Sequence, residues 1–226
     1  MIRQHDFNSR WFGAPVALIT DAAFFKLPTA EREALLRPFA FAEFRATLPP
    51  EPGLAEAAGF WLADVQVPFR IGLAKVADVP SLTAQPGAQP KDLARFSHER
   101  LGLLPGVDAA RVDARYQLWA GTLASSSPAT ALTLSADGRT QGYFLSERDP
   151  DGSLRLTLAA LHKDATISGH LVYQKALHVY AAQGFRVGHA AFSVTNTAVL
   201  NIYSRLGAHF LAPEGRWLRK NGDTLI

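Results

Sequence analysis

The feature that most constrains this chain is a set of three strand-like runs joined by two tight-turn signals, with a helix pattern behind the third. Residues 129–135 alternate apolar and polar side chains, Asp137-Gly138 follows, and residues 140–146 form the second run. Asp151-Gly152 then precedes a third run over residues 154–161. An Asp-Gly pair between alternating runs is a hairpin signal, because the favoured two-residue turn needs φ above zero at both central positions. The three runs therefore predict an antiparallel meander. Residues 168–183 put Gly169, Val172, Tyr173, Ala176, Leu177 and Tyr180 on one helical face and stop at Gly184. Residues 186–194 read as the next strand. A strand, helix, strand succession of this kind is a crossover that sets its two strands parallel. Residues 197–206 predict another helix, closed by Gly207, and residues 209–211 and 216–218 are final strand material.

The first half is shorter-ranged in pattern. Residues 15–20 are an apolar run. Thr29, with acidic residues in the turn after it, predicts a helix N-cap. Residues 39–47 alternate with period two, and residues 54–58 predict a short helix ended by Gly59. Residues 60–73 read as a long strand, in which Pro68 predicts an edge or a bend. Pro80, Pro86, Gly87 and Pro90 make residues 79–91 a linker candidate. Residues 92–100 and 109–123 predict two helices. Asp108 caps the second, whose face carries Val112, Tyr116, Trp119 and Leu123. The expected organisation is a smaller α/β region over residues 1–78, a linker over 79–91 and a main domain over 92–226.

Composition narrows the function classes. There are no cysteines among 226 residues, which excludes disulfides, thiolate metal sites and a cysteine nucleophile. His170, His178 and His189 share no spacing that builds a metal site, so no metal is expected. Net charge is +3 with the basic residues scattered, which argues against nucleic acid. No apolar run approaches the roughly 18 residues of a membrane helix, and the opening residues lack the apolar core of a signal peptide. A cytoplasmic protein without membrane attachment is expected. A mildly basic chain also suits an anionic small molecule.

The crossover offers a place for one. Residues 162–168 lead into a helix N-terminus, where free backbone N–H groups and the helix dipole favour phosphate, and Gly169 lets a ligand approach the backbone. Beyond it, Asn196 opens a helix, Tyr203 follows seven residues later, and Gly207-Ala208 begins four residues after that. These spacings, with Gln183-Gly184-Phe185 before them, resemble the signature of the GNAT superfamily of acyl-CoA N-acyltransferases. The resemblance implies an α/β (α+β) GNAT fold, a mixed sheet whose fourth and fifth strands splay apart, preceded by the smaller N-terminal region. It implies acetyl-CoA as co-substrate. The pantetheine arm would meet backbone at Ala159, Ala160 and Leu161, and Asn196 would bond it. The pyrophosphate would rest on Ile167, Ser168, Gly169, His170 and Leu171, and Tyr203 would act as general acid toward the departing thiolate. In one respect the chain departs from the family. The usual loop opens with Gln or Arg and ends on Gly or Ala, whereas this one reads Thr166-Ile-Ser-Gly169-His-Leu171, which points to weakened donor binding.

The whole chain also resembles the subset that includes the dTDP-fucosamine acetyltransferases of bacterial surface-polysaccharide synthesis. The matching stretches are Asp6 through Gly13, Leu54 through Phe60, Arg95-Phe96-Ser97, and the Tyr116/Trp119 pair. The implied partner is a small-molecule amine acceptor, with an amino sugar or sugar nucleotide foremost. Phe96, Ser97, Arg100, Tyr116 and Trp119 are its candidate binding residues, with Arg100 facing a diphosphate. Two alternatives stay open: a GNAT acting on another small amine, and a catalytically weakened domain that binds acyl-CoA or a partner. A homodimer is compatible with either. No base stands out. Glu147 falls at the end of the second run of the meander, in the hairpin leading to the third and away from the phosphate loop, and His162 is a lone loop histidine, which leaves a water chain as the expected route for the amine proton.

Overall fold

The computed structural model describes residues 1–48 and 53–221. In chain order the elements are β1 (Ile2–Gln4), α1 (Asp6–Phe12), β2 (Val16–Ile19), α2 (Thr29–Leu36), β3 (Phe41–Thr47), α3 (Leu54–Ala57), β4 (Trp61–Gly72) and β5 (Thr83–Pro86). They continue as α4 (Ala109–Ser126), β6 (Ala131–Ala136), β7 (Arg139–Arg148), β8 (Leu154–Leu161), α5 (Gly169–Ala182), β9 (Val187–Ser193), α6 (Thr197–Arg205), β10 (His209–Phe210) and β11 (Glu214–Lys220). The meander forms as its turn chemistry dictates: Asp137 and Gly138 both take positive φ, 48° and 73°. The Asp108 carboxylate caps α4 by accepting from the Arg111 N–H at 2.8 Å. At α2, Pro28 rather than Thr29 is the cap residue and no side chain caps the helix, since Thr29 already lies in the first turn.

The strands make one mixed sheet in the order β1-β2-β3-β11-β4-β9-β8-β7-β6-β5, with β10 added to β4. Two neighbour pairs are parallel, β2 with β3 and β8 with β9. The final strand, β11, lies between β3 and β4 and pairs with both, so sheet hydrogen bonding runs without a break from one half of the chain to the other. The long strand β4 is central rather than an edge, despite Pro68. It pairs with β11 up to Gln66 and with β10 from Phe69. Pro68 sits at the handover between them, where its carbonyl accepts from the Leu211 N–H at 2.8 Å and no ladder bond needs a donor.

Two expectations fail in the segment before α4. Residues 79–91 are more than a linker: β5 pairs with β6, and Val79, Leu82 and Ala88 are buried. Residues 92–100 are not helical. Asp92 takes φ +52°, Leu93 bridges to His162, and a 3-10 turn follows at Arg100–Leu103. The Ala94 N–H donates to the Leu161 carbonyl of β8, the Asp92 carbonyl accepts from Lys163 N–H just beyond it, and the Phe96 N–H donates to the Asp113 carboxylate of α4, so these groups are paired outside the segment.

Apolar side chains divide between the two sheet faces. Phe69, Ile71, Phe144, Leu154 and Leu156 pack with α5 and α6 on one face. Tyr143, Leu145 and Leu158 pack under α4 on the other. The second face also buries a carboxylate. Glu43 of β3 is 0% exposed. Arg100 Nη2 donates to its two oxygens at 2.9 and 3.1 Å, and Arg45 Nε donates at 2.7 Å. Burial alone would raise the pKa of Glu43, but Arg100 and Arg45 outweigh it and hold the value at about 2. This cluster ties the 3-10 turn to the sheet.

Two predictions follow from this packing. A Cβ on Gly142 would lie 2.7 Å from the Ala160 carbonyl oxygen, whereas one on Gly121 in α4 meets nothing within 4 Å. Gly142→Ala should therefore lower the unfolding free energy by about 1–3 kcal/mol, and Gly121→Ala should raise it by roughly 0.5–1 kcal/mol, both read from urea midpoints. The folded pKa of Glu43 lies below its unfolded value near 4.5. Its contribution, on the order of 3 kcal/mol, is complete above that value and is lost as pH falls toward 2. The stability gap between wild type and Glu43→Gln should narrow below pH 4.5 in denaturant titrations; a gap independent of pH would contradict the depressed pKa.

Candidate active site

The sheet opens at one place. β8 and β9 pair only at Leu154↔Gly188 and Arg155↔His189 and then part. A local cause lies in β8. Its ladder with β7 runs from Leu145↔Leu158 to Glu147↔Arg155. Between those rungs β7 advances by two residues and β8 by three, so β8 carries a bulge. A bulge bends its strand and adds twist. It also reverses side-chain alternation, which is why Leu156 packs on the α5 face and Leu158 on the α4 face. At the vertex, Gly188 lets the strands meet: a Cβ there would lie 3.1 Å from Leu156 Cδ1.

The edge of β8 beyond the bulge is partly occupied. The His162 N–H donates to the Gln141 carbonyl of β7 at 3.0 Å. By the alternation of a strand, Ala160 therefore faces β7 as well, while Ala159 and Leu161 face the opening. Leu161 is already engaged, because its carbonyl accepts from Ala94 N–H at 2.9 Å. Next to it, Lys163 N–H donates to the Asp92 carbonyl at 2.8 Å, and the two side chains form an ion pair at 2.8 Å. Of the backbone expected to meet a pantetheine arm, only Ala159 has its peptide group turned to the opening without a protein partner among the described residues.

The start of α5 lies at the wide end of the opening. Of the five residues expected to hold a pyrophosphate, two have their N–H groups engaged. The Gln141 Oε1 accepts from Thr166 N–H at 2.8 Å and Ile167 N–H at 3.1 Å, and Leu171 N–H donates to the Ser168 carbonyl at 3.0 Å. Ser168, Gly169 and His170 keep N–H groups with no protein acceptor among the described residues, and Ser168 provides no side-chain cap. The Nδ1 of His170 is buried and unpaired beside them. The helix start is thus short of acceptors, the deficit a phosphate would fill.

Across the opening, Asn196 caps α6, its Oδ1 accepting from Val199 N–H at 3.1 Å. Its amide nitrogen takes no protein partner among the described residues. Tyr203, only 3% exposed, packs against Tyr173 of α5 at 5.5 Å and Phe192 of β9 at 6.2 Å between ring centroids. Its ring also lies 4.0 Å from that of Phe69 of β4, so it is held between α5 and the β4–β9 pair. Burial pushes its phenol well above the ordinary value, with Tyr173 and Tyr180 adding to the rise. Its hydroxyl is not among the sealed, unpaired polar atoms of the described residues.

On the α4 face the candidate acceptor residues come together. Phe96 and Tyr116 stack at 3.7 Å with 8° between their planes, and Trp119 tilts against Tyr116 at 5.7 Å. The Tyr116 hydroxyl donates to Glu99, and burial, reinforced by Glu99, raises its pKa. Arg100 does not face a ligand, because two of its bonds go to buried Glu43 and its Nε is itself buried and unpaired. Ser97 is exposed. The loop is tied to the end of β9 through His98 Nδ1 and Thr195 Oγ1 at 3.1 Å.

Sequence reasoning missed the polar groups lining β9. The Ser193 hydroxyl donates to Asp64 Oδ1 at 2.7 Å and pairs with Thr195 Oγ1 at 2.8 Å. The signal was present as alternation in residues 186–194, but its polar face acquires meaning only once β8 leaves it uncovered. Glu147 was set aside for lying far from the phosphate loop. It sits at the vertex of the fork, where its Oε2 accepts from the Thr157 hydroxyl at 2.8 Å. Among the described residues no group of three His, Cys, Asp or Glu could hold a metal ion, and no helix is long and apolar enough to cross a membrane.

No protein-family model matches the chain, and no curated protein matches it in sequence. Its fold is nevertheless shared with solved structures. A GCN5-related N-acetyltransferase from Sphaerobacter thermophilus superposes with a TM-score of 0.53 at 14% identity over 80% of this chain, which spans 59% of that protein's length. A tandem GNAT protein from the clavulanic acid biosynthesis pathway gives 0.57 at 16% identity, covering 94% of this chain and 77% of its own. A GCN5-related N-acetyltransferase from Kribbella flavida gives 0.52 at 14% identity, covering 92% and 82%. A bulged strand that parts from its parallel neighbour above a helix N-terminus, within a sheet superposable on these proteins, gives this chain the GNAT fold.

Proposed function

We propose that the protein transfers an acetyl group from acetyl-CoA to a primary amine. The observation that carries this reading is the fork itself: two rungs of parallel pairing, then an opening that leads to three acceptor-free N–H groups at the start of α5. The pyrophosphate would be held by Ser168, Gly169 and His170, and the pantetheine arm by the free edge at Ala159 and by the Asn196 amide nitrogen. The co-substrate supplies an activated acyl carbon. Tyr203 supplies the proton for the leaving sulfur; a phenol with a raised pKa stays protonated at neutral pH and has a proton to give.

The acceptor enters from the α4 face in this reading. Phe96, Tyr116 and Trp119 offer stacked aromatic surface and Ser97 an exposed hydroxyl, which suits an amino sugar or sugar nucleotide. That assignment rests on the sequence resemblance and this surface. Residues 92–226 would form the acyltransferase and residues 1–78 the region that supplies β4 to its sheet. One finding favours a second reading, a domain that binds without turnover: the Ala94 and Gln141 contacts occupy groups a donor would use.

Donor binding and chemistry are separable. Acetyl-CoA at 100 times its Kd should raise the unfolding free energy by about 2.7 kcal/mol, read as a thermal shift; no shift at millimolar donor would remove acyl-CoA from the reading. Tyr203→Phe should lower kcat on the order of 10² to 10⁴-fold while calorimetric acetyl-CoA affinity stays unchanged. Turnover at the wild-type rate would take the phenol out of the mechanism.

A further inference from the structure

Resting on the acyl-transfer reading, we propose that His189 is the general base that accepts the proton of the attacking amine, with Asp149 as its positioning residue. Four observations meet at this side chain. First, His189 stands on the last rung at which β8 and β9 are paired, directly opposite Arg155, so it lies at the vertex of the fork beside the bulge. Second, its neighbour Ala190 packs into the α5 and α6 core, as do Phe192 and Tyr203. Alternation along β9 therefore turns His189 to the other face, where the acceptor residues lie. Proton donor and proton acceptor thus approach the opening from opposite sides of the sheet. Third, the ring is oriented: His189 Nε2 lies 2.6 Å from Asp149 Oδ2. A carboxylate on one ring nitrogen fixes the tautomer and leaves the other nitrogen as an acceptor. Fourth, Nδ1 takes no protein partner among the described residues, and the side chain is 34% exposed.

The charged groups around the imidazole come from every strand beside it. Asp149 faces it from the turn after β7, Glu147 from the end of β7 and Arg155 from β8, and Arg70 of β4 stands opposite it in the ladder. Asp151 in the β7–β8 turn interacts with both His189 and Arg70. Arg155 also donates to Asp149, which holds that carboxylate in place. In the proposed step the amine nitrogen forms a C–N bond to the acyl carbon while the C–S bond breaks. The proton shed by nitrogen passes to His189 Nδ1, and the sulfur takes the Tyr203 proton. Solvent then removes the proton from His189 and restores the phenol.

The test uses the full-length protein with acetyl-CoA and a panel of acceptors: an amino sugar, an amino acid, a polyamine and water. Thiol release is followed from pH 5 to 9. In the wild type kcat/KM should rise with pH along a limb. His189→Gln should lose that limb and fall about 100-fold or more at neutral pH, with calorimetric acetyl-CoA affinity within about twofold of wild type. Asp149→Asn should lower kcat about 10-fold with KM for acetyl-CoA unchanged and should cost little more when added to His189→Gln, a pattern that a purely structural role would not produce. His189→Asn serves as a second variant if the first unfolds below assay temperature. Wild-type rates and an unmoved limb in His189→Gln would overturn the assignment. So would a wild-type protein that binds acetyl-CoA and releases no thiol with any acceptor, and donor binding would then still stand. Failure to bind acetyl-CoA would instead overturn the acyl-transfer reading itself.

Discussion

β9 parts from β8 after two rungs because its other edge is held along its whole length. The antiparallel ladder from Gln66↔Ser193 to Gly72↔Val187 gives β9 a complete set of partners on the β4 side. A strand that left one neighbour without such a ladder would expose both rows of backbone polar groups, each with a substantial desolvation cost. β4 is in turn fixed by β11, which reaches it from the far end of the chain and also pairs with β3. The opening at the centre of the sheet therefore depends on strands from both halves of the sequence: β4 comes from the first, and its partners β9, β10 and β11 all come from the second.

The two faces of the opening differ in chemistry for reasons that begin with alternation. Toward α5 and α6 the side chains are Leu156, Phe192, Tyr173 and Tyr203, a dry aromatic environment that keeps a phenol protonated. Toward α4 the side chains are Arg155, His189, Ser193 and Asp64, a polar row joined by hydrogen bonds at Ser193–Asp64 and His189–Asp149. One bulged residue in β8 marks the boundary. It turns the peptide edge of β8 away from β9 and moves Leu158 to the α4 face, so that geometry and polarity change at the same point.

Several local features were legible because neighbouring residues decide them. The Asp137-Gly138 turn, the Asp108 cap, the bounds of β8 and the Asn196 cap of α6 all depend on side chains within a few residues. The Asn196 and Tyr203 spacing carried the family resemblance that implied a splayed sheet. Segment 92–100 was misread because its acidic and apolar spacing suits a helix, while its backbone groups pair with Leu161 and Lys163 at the end of β8 and with Asp113 of α4. Arg100 was read as a ligand residue because nothing near it in sequence reveals that Glu43, 57 residues away, is buried against it.

By itself the sequence determined the local alphabet: which runs are strands, where helices start and stop, and that a phenol follows a capping asparagine at helical spacing. These are short-range effects of propensity, capping and turn chemistry. Only the tertiary structure decided that β11 enters between β3 and β4, that Ala94 and Gln141 engage part of the expected donor contacts, and that His189 meets Asp149 at the fork. Those pairings join residues far apart in the chain. Their partners are selected by which backbone edges and charges remain unsatisfied once the core has formed, and that information is distributed over the whole chain rather than held in any one segment.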